Sequence, residues 1–141
     1  MRYKTRSPEE TKRVATEFAR TLRGGDVVRL EGELGAGKTV FVQGMCEALG
    51  TETYAHSPTF TLVNIYRVSS GSISRIVHMD FYRVPTESER RSLGLEDLLG
   101  QSDTIACIEW PSEELPVPLN ARIRTVRLRR LDSDQREIVI E

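Results

Sequence analysis

Gly32, Gly37, Lys38 and Thr39 stand in the order and spacing G-x-x-x-x-G-K-[ST] within the stretch GELGAGKT. The chemistry open to such a loop is to hold a chain of phosphates. Glycines let the backbone turn through positive φ, so successive N–H groups point inward at phosphate oxygens. A helix starting at the loop adds the positive end of its dipole. The Lys38 ammonium is then placed to bridge β- and γ-phosphates, and the Thr39 hydroxyl to ligate Mg²⁺.

A loop of this kind needs a carboxylate at the end of a neighbouring strand, to hold the metal directly or through water. Two apolar runs deliver one: IVHMD ends in Asp80, and IACIE ends in Glu109. Both put the acid at the strand's C-terminal end, where α/β sheets place ligands. One acid can serve the metal while the other orients an attacking water, and the residues alone leave that assignment open. In SPTF at 57–60, Pro58 stiffens a loop and Thr59 offers a hydroxyl. The stretch reads either as a nucleotide-sensing switch or as a plain turn before a strand. A guanine reader, N-K-x-D, does not begin at Asn64 or Asn120. Asp97 opens a D-x-x-G match, but inside a predicted helix, which makes the match accidental. ATP is favoured by elimination.

The elements that must position these groups are legible around them. Ser7-Pro8-Glu9-Glu10 starts a helix, with Ser7 as cap, Pro8 in the first turn and Glu10 at the capping-box position. Val14, Phe18 and Leu22 follow at four-residue spacing, and Gly24-Gly25 ends the helix. DVVRLEG is a short strand running into the glycine loop. VFVQGMCEALG suits a helix after it, with Phe41, Met45, Cys46 and Leu49 on one face and Gly50 as the stop. TLVNIYR and SRIVHMDFYR are two strands about the turn VSSGSI, a hairpin. TESERRSLGLEDLL is helical and broken near Gly94. TIACIEW is an apolar strand, RIRTVRLRRL alternates, and REIVIE returns after the polar turn DSDQ. Strands mixed with helices predict a three-layer α/β domain, P-loop NTPase-like, with an antiparallel hairpin at a sheet edge.

With 141 residues, the chain has the length of one domain, spanning 1–141. Hydrophobic residues at 38% and charged residues at 29% fit an ordinary soluble protein. A net charge of -1 excludes a bulk electrostatic pull towards nucleic acid, while leaving room for a local basic strip. No apolar run is long enough to span a membrane, and MRYKTRSPEE lacks the apolar stretch of a signal peptide. Cys46 and Cys107 sit inside predicted elements and read as reduced, buried residues of a cytoplasmic protein.

GELGAGKT, SPTFTLVNIY, HMDFYR, LGLEDLL and IEWP follow one another in this order. The combination resembles the TsaE family (older name YjeE) of small bacterial P-loop ATPases. The likeness covers nearly the whole chain, is densest from Gly32 to Pro111, and weakens over the last thirty residues. The resemblance implies a small α/β P-loop core with a mixed sheet. It implies work with the TsaB and TsaD proteins in making threonylcarbamoyladenosine, a modification of the tRNA adenosine beside the anticodon. The chain would touch tRNA indirectly, through that complex, and would hydrolyse ATP in support of repeated turnover.

Carried over by motif, Glu33, Leu34, Gly35, Ala36, Gly37, Lys38 and Thr39 would bind phosphates, with Thr39 on Mg²⁺. Asp80 would be the acid near the γ-phosphate, and Glu109 the acid nearest the metal. Thr59 would belong to the switch-like loop, and Trp110, following the metal acid, would lie near the site or serve as a core aromatic. Thr11 and Arg136 are nominated for the N-terminal segment and the late basic residue that the family uses around the nucleotide. His56 and His78 read as structural, the latter because it alternates with apolar neighbours in a strand. Arg122, Arg124, Arg127, Arg129 and Arg130 form a basic strand, read as a solvated face, with tRNA or an acidic partner as the alternative. A small-molecule kinase and a nucleotide-gated binding module remain competing functions. Against a kinase, the arginines cluster on the C-terminal strands, with only Arg90-Arg91 on a mid-chain helix.

Overall fold

In a computed structural model, residues 1–51, 63–80, 86–109, 117, 118 and 120–141 are described. Thr59, Trp110, His56 and the SPTF stretch lie outside them. The described strands form one seven-stranded sheet in the order β1-β7-β6-β2-β5-β4-β3. In chain order these are β1 (Arg2–Thr5), β2 (Val27–Glu31), β3 (Val63–Ser70), β4 (Ile73–Asp80), β5 (Thr104–Glu109), β6 (Ile123–Arg130) and β7 (Arg136–Ile140). β6, β2, β5 and β4 run parallel, while β3, β7 and β1 pair antiparallel to their neighbours. The sheet is therefore mixed, with the expected hairpin, β3–β4, at one edge.

Each strand's sequence matches its place. β5, TIACIE, is buried along its whole length, as a continuous apolar run in the parallel core should be. β6 alternates because its two faces differ. Val126 and Leu128 join the core, whereas Arg127 and Arg129 point to the other face and pair with Glu31, Glu141 and Glu137. The five arginines thus do not form one surface. Arg122 holds the buried Asp26 at 2.6 Å, and Arg124 lies 4.8 Å over the Phe18 ring. β1 carried no sequence signal strong enough to be read: four residues are too few to establish a period of two.

Helices cover both faces. α1 (Pro8–Ala19) and α2 (Lys38–Ala48) pack on one, and α3 (Glu87–Leu93) with α4 (Leu95–Leu98) follows β4. The Ser7 side chain accepts the Glu10 N–H at 3.1 Å, as a cap should, while Glu10 reaches back to the Arg6 N–H at 2.6 Å. α1 ends at Ala19, earlier than Gly24-Gly25, and single tighter turns carry the chain on to a buried Leu22. Phe18, Phe41 and Met45 meet Val28, Leu30, Ile105 and Val126 in the larger core. Leu95 and Leu99 close the opposite face over Val27, Val77, Met79 and Ile108. Three layers result.

α1 and α2 lie very close together at Gly44. A Cβ built there would sit 2.8 Å from the Ala15 Cβ and 2.9 Å from the Lys12 Cα. Both cysteines are free and buried. Burial, with Glu47, pushes the Cys46 thiol up to about 12, so it stays protonated.

Candidate functional site

β2 lies at the centre of the sheet, between β5 and β6, and delivers the glycine loop from its C-terminal end. β4 and β5 run parallel to β2, so their terminal acids arrive at the same edge of the sheet. Asp80 and Glu109 are direct register partners, and Glu109 is also the partner of Leu30. The two-residue period of a strand places His78 and Asp80 on one face of β4, and Cys107 and Glu109 on the same face of β5. Cys107 packs with α2 residues in the larger core, so this is the face that α2 covers.

α2 begins at Lys38 with Gly37 as its cap residue, at φ 103°. Only glycine takes that conformation without strain, which is why the tripeptide requires it just before the lysine. From the first turn of α2, the Lys38 Nζ reaches the Glu109 Oε1 at 3.5 Å. Thr39 follows on the same turn, half-buried. Upstream, Glu33, Leu34 and Gly35 are exposed, Leu34 completely, while Ala36 is buried and closes a turn onto the Glu33 carbonyl at 3.0 Å.

Glu109 is only 4% exposed. Its Oε2 lies 2.9 Å from the Nε2 of His78, a side chain with 0% exposure. Burial pushes the Glu109 carboxyl up, but the His78 hydrogen bond and the neighbouring His78 and Lys38 charges overcome it and hold the group below its ordinary value. Asp80 moves the other way. Burial raises it first and the Glu109 charge adds to that, against the opposing influence of Lys38 and His78. Two carboxylates in register are thus driven apart: Glu109 stays ionised, and Asp80 becomes the more basic of the two.

A second feature adjoins the loop. A cavity of about 320 Å³ is lined by Pro8 and Thr11 from α1, Gly37 and Val40 from the loop and α2, and Ser133 and Arg136 from the β6–β7 turn and β7. The nominees Thr11 and Arg136, 125 positions apart in the chain, therefore line one hollow beside Gly37. Thr11 is buried, and its hydroxyl is hydrogen bonded to that of Thr5 at 2.8 Å. The Arg136 guanidinium donates to the carbonyls of Asp132 and Gln135, each at 3.0 Å. The structure brings the loop, Lys38, Asp80 and Glu109 into one group, with Thr11 and Arg136 around the adjoining hollow.

The sequence reading took His78 as structural and did not foresee its bond to Glu109. The signal was present in its position, two residues before Asp80, which puts it on the acid-bearing face of β4. Its apolar neighbours Val77 and Met79, on which the structural reading drew, belong to the other face.

The metal that such a loop implies can be weighed against these donors. Thr39, Asp80 and Glu109 offer hard oxygen ligands, which suit Mg²⁺ better than Zn²⁺ or copper. Among the described residues, no group of three His, Cys, Asp or Glu side chains is arranged to hold a metal. That accords with Mg²⁺ practice, in which one or two carboxylates share the ion with substrate phosphates. The donor set fits the ion.

The fold and the loop define an α/β protein of the P-loop type. The match to known proteins is extensive. The family model of the threonylcarbamoyl adenosine biosynthesis protein TsaE covers residues 5–138, and the chain belongs to that family. It is 39% identical over 142 residues to the tRNA threonylcarbamoyladenosine biosynthesis protein TsaE of Bacillus subtilis, covering 98% of this chain and 83% of that one. The Treponema pallidum protein of the same description is 36% identical, with 99% of both chains covered. The crystal structure of Bacillus subtilis YdiB superposes with a TM-score of 0.71 at 33% identity, over 99% of this chain and 83% of that one.

Proposed function

We propose that this chain is the ATP-hydrolysing component of the cytoplasmic apparatus that forms threonylcarbamoyladenosine in tRNA, acting with TsaB and TsaD and meeting tRNA through them. The observation that carries the reading is the convergence of Lys38, Asp80 and Glu109 at one sheet edge, in a chain of the TsaE family. The amides of the loop from Glu33 to Thr39 and the Lys38 ammonium hold the phosphates. The hollow beside Gly37, walled by Thr11 and Arg136, takes the nucleoside. Its volume is at the lower end of what small-molecule sites offer, enough for a purine and part of a ribose.

Thr39 and Glu109 would hold Mg²⁺, which when bound offsets negative charge between the β- and γ-phosphates. Asp80 accepts a hydrogen bond from the attacking water, a task helped by its raised basicity. Water adds to the γ-phosphorus as the bond to the bridging oxygen breaks. ADP, phosphate and a proton leave, and Lys38 counters charge on the bridge as it grows. Thr59 and Trp110 lie outside the described residues, and the roles proposed for them rest on the family resemblance alone.

A kinase would need a cation-bearing lid over the phosphates. On the mid-chain helix α3, Arg91 instead pairs with Glu87 one helical turn away, at 3.8 Å and exposed to solvent. The deciding experiment follows ATP products by thin-layer separation, with this chain alone and with TsaB plus TsaD. Phosphate release that rises with the partners is expected. Transfer of the phosphoryl group to an added acceptor, or binding of partners with no change in rate, would overturn the ATPase reading.

A further inference from the structure

We propose that His78 is a positioning residue for Glu109, fixing the carboxylate that meets the metal rather than touching nucleotide itself. The inference rests on the metal role given to Glu109 above. The geometry behind it is specific. Among the described residues, the polar contact of the His78 ring is the 2.9 Å bond from Nε2 to the Glu109 Oε2, and Nδ1 is buried without a partner. The other carboxylate oxygen faces Lys38 at 3.5 Å. An ionised carboxylate only accepts, so Nε2 must carry the proton and donate it. The ring thereby pins one oxygen and leaves the other turned towards the loop.

A purely structural role is a poor account of this side chain. Two of its strand neighbours on the same face, Ile76 and the cross-strand Cys107, are apolar and fully buried, while Asp80 and the cross-strand Asn64 on β3 are polar. A leucine would fill the volume without the cost of burying an imidazole whose second nitrogen has no partner among the described residues. Replacing a buried polar pair with apolar groups is often neutral or stabilising. The residue that gains from His78 is Glu109, whose two torsions nearest the carboxylate would otherwise be free to swing it away from the metal. Partners that hold a ligating side chain from behind typically govern metal affinity by 10- to 100-fold.

The test is calorimetric titration of ADP with and without Mg²⁺ into wild type, Glu109→Gln, and three variants at position 78. His78→Gln places an amide N–H near the position of Nε2 and can restore the bond. His78→Asn is equally polar but too short to reach the Oε2, and His78→Leu keeps the volume without a donor. The expected result is that Mg²⁺ enhancement of ADP binding falls about tenfold or more in the Asn and Leu variants. It should recover in the Gln variant, with metal-free ADP affinity unchanged across the three position-78 variants. Should the Leu variant fail to fold, the Asn–Gln pair still decides. If Glu109→Gln loses the Mg²⁺ effect while His78→Asn keeps it, the positioning role is overturned and the metal role of Glu109 stands. If Glu109→Gln keeps the effect as well, the metal assignment falls and takes this inference with it.

Discussion

Lys38 faces Glu109 at 3.5 Å, and under the proposed function its value would lie in the phosphate charge it meets during reaction. Lys38→Ala should reduce ATP hydrolysis by at least about 100-fold, the scale of losing one preorganised electrostatic group. The fold should persist, because the side chain is partly exposed and contributes little packing. A folded Lys38→Ala protein with wild-type turnover would end the P-loop assignment. The two acids predict opposite pH behaviour. Glu109 is held below its ordinary value near 4.5 in the folded protein, so it contributes stability above that pH. The contribution is lost as pH falls through the lowered value. Asp80 is raised above 3.8, so the folded state holds its proton more tightly and loses stability as pH rises through the raised value. Asp80→Asn should therefore raise the Tm at neutral pH while cutting hydrolysis about 100-fold or more. Thermal unfolding at pH 7 checks this, and a lower Tm would show that Asp80 is held by contacts that outweigh its burial and the Glu109 repulsion.

The glycine loop and the two acid-ending runs were legible because each needs only local sequence: a fixed spacing, or an apolar run that stops at a carboxylate. His78 and Arg136 were harder, since their meaning lies in partners 31 and 99 positions away in the chain, Glu109 and Gly37. The arginine strand was misjudged as one surface for the same reason. Alternation on β6 is visible in sequence, but which face α1 covers is a matter of packing, and Arg124 stacks on Phe18 where Arg127 meets Glu31. The contact between α1 and α2 also lay hidden in an ordinary-looking glycine. Gly44→Ala would normally stabilise a helix by about 1 kcal/mol. Here the new methyl would meet the Lys12 backbone at 2.9 Å, and overpacking of this kind costs typically 1–3 kcal/mol. Backbone cannot swing aside, so the overpacking term should win and leave a net loss on the order of 1 kcal/mol. Because α1 bears Thr11 and α2 bears Val40, ADP affinity should fall in step. Urea unfolding and ADP titration of the same variant check both effects, and a stabilised Gly44→Ala protein would mean the helices can separate freely.

The molecule divides its labour across the sheet. Under the proposed function the parallel centre would carry the phosphate chemistry, and the β6–β7 turn with β7 would supply the far wall of the nucleoside hollow. That hollow has no guanine reader among the sequence motifs, so ATP should displace labelled ATP clearly better than GTP does. Equal displacement would reopen the GTPase reading. Arg136→Ala should weaken ADP binding without touching the loop itself. The pairing of β1 with β7 has one more consequence, which concerns time. The glycine loop leaves the ribosome early, with the first wall of the hollow already behind it. The opposite wall arrives only with the β6–β7 turn and the start of β7, after the other described elements have been made. If the hollow takes the nucleoside as proposed, a nascent or truncated chain would own a complete phosphate loop and still be unable to grip a nucleotide. Ligand binding would then report that synthesis has passed Arg136, and bound nucleotide would clasp the early and late strands together against proteases. At a ligand concentration 100 times its Kd, that clasp is worth about 2.7 kcal/mol.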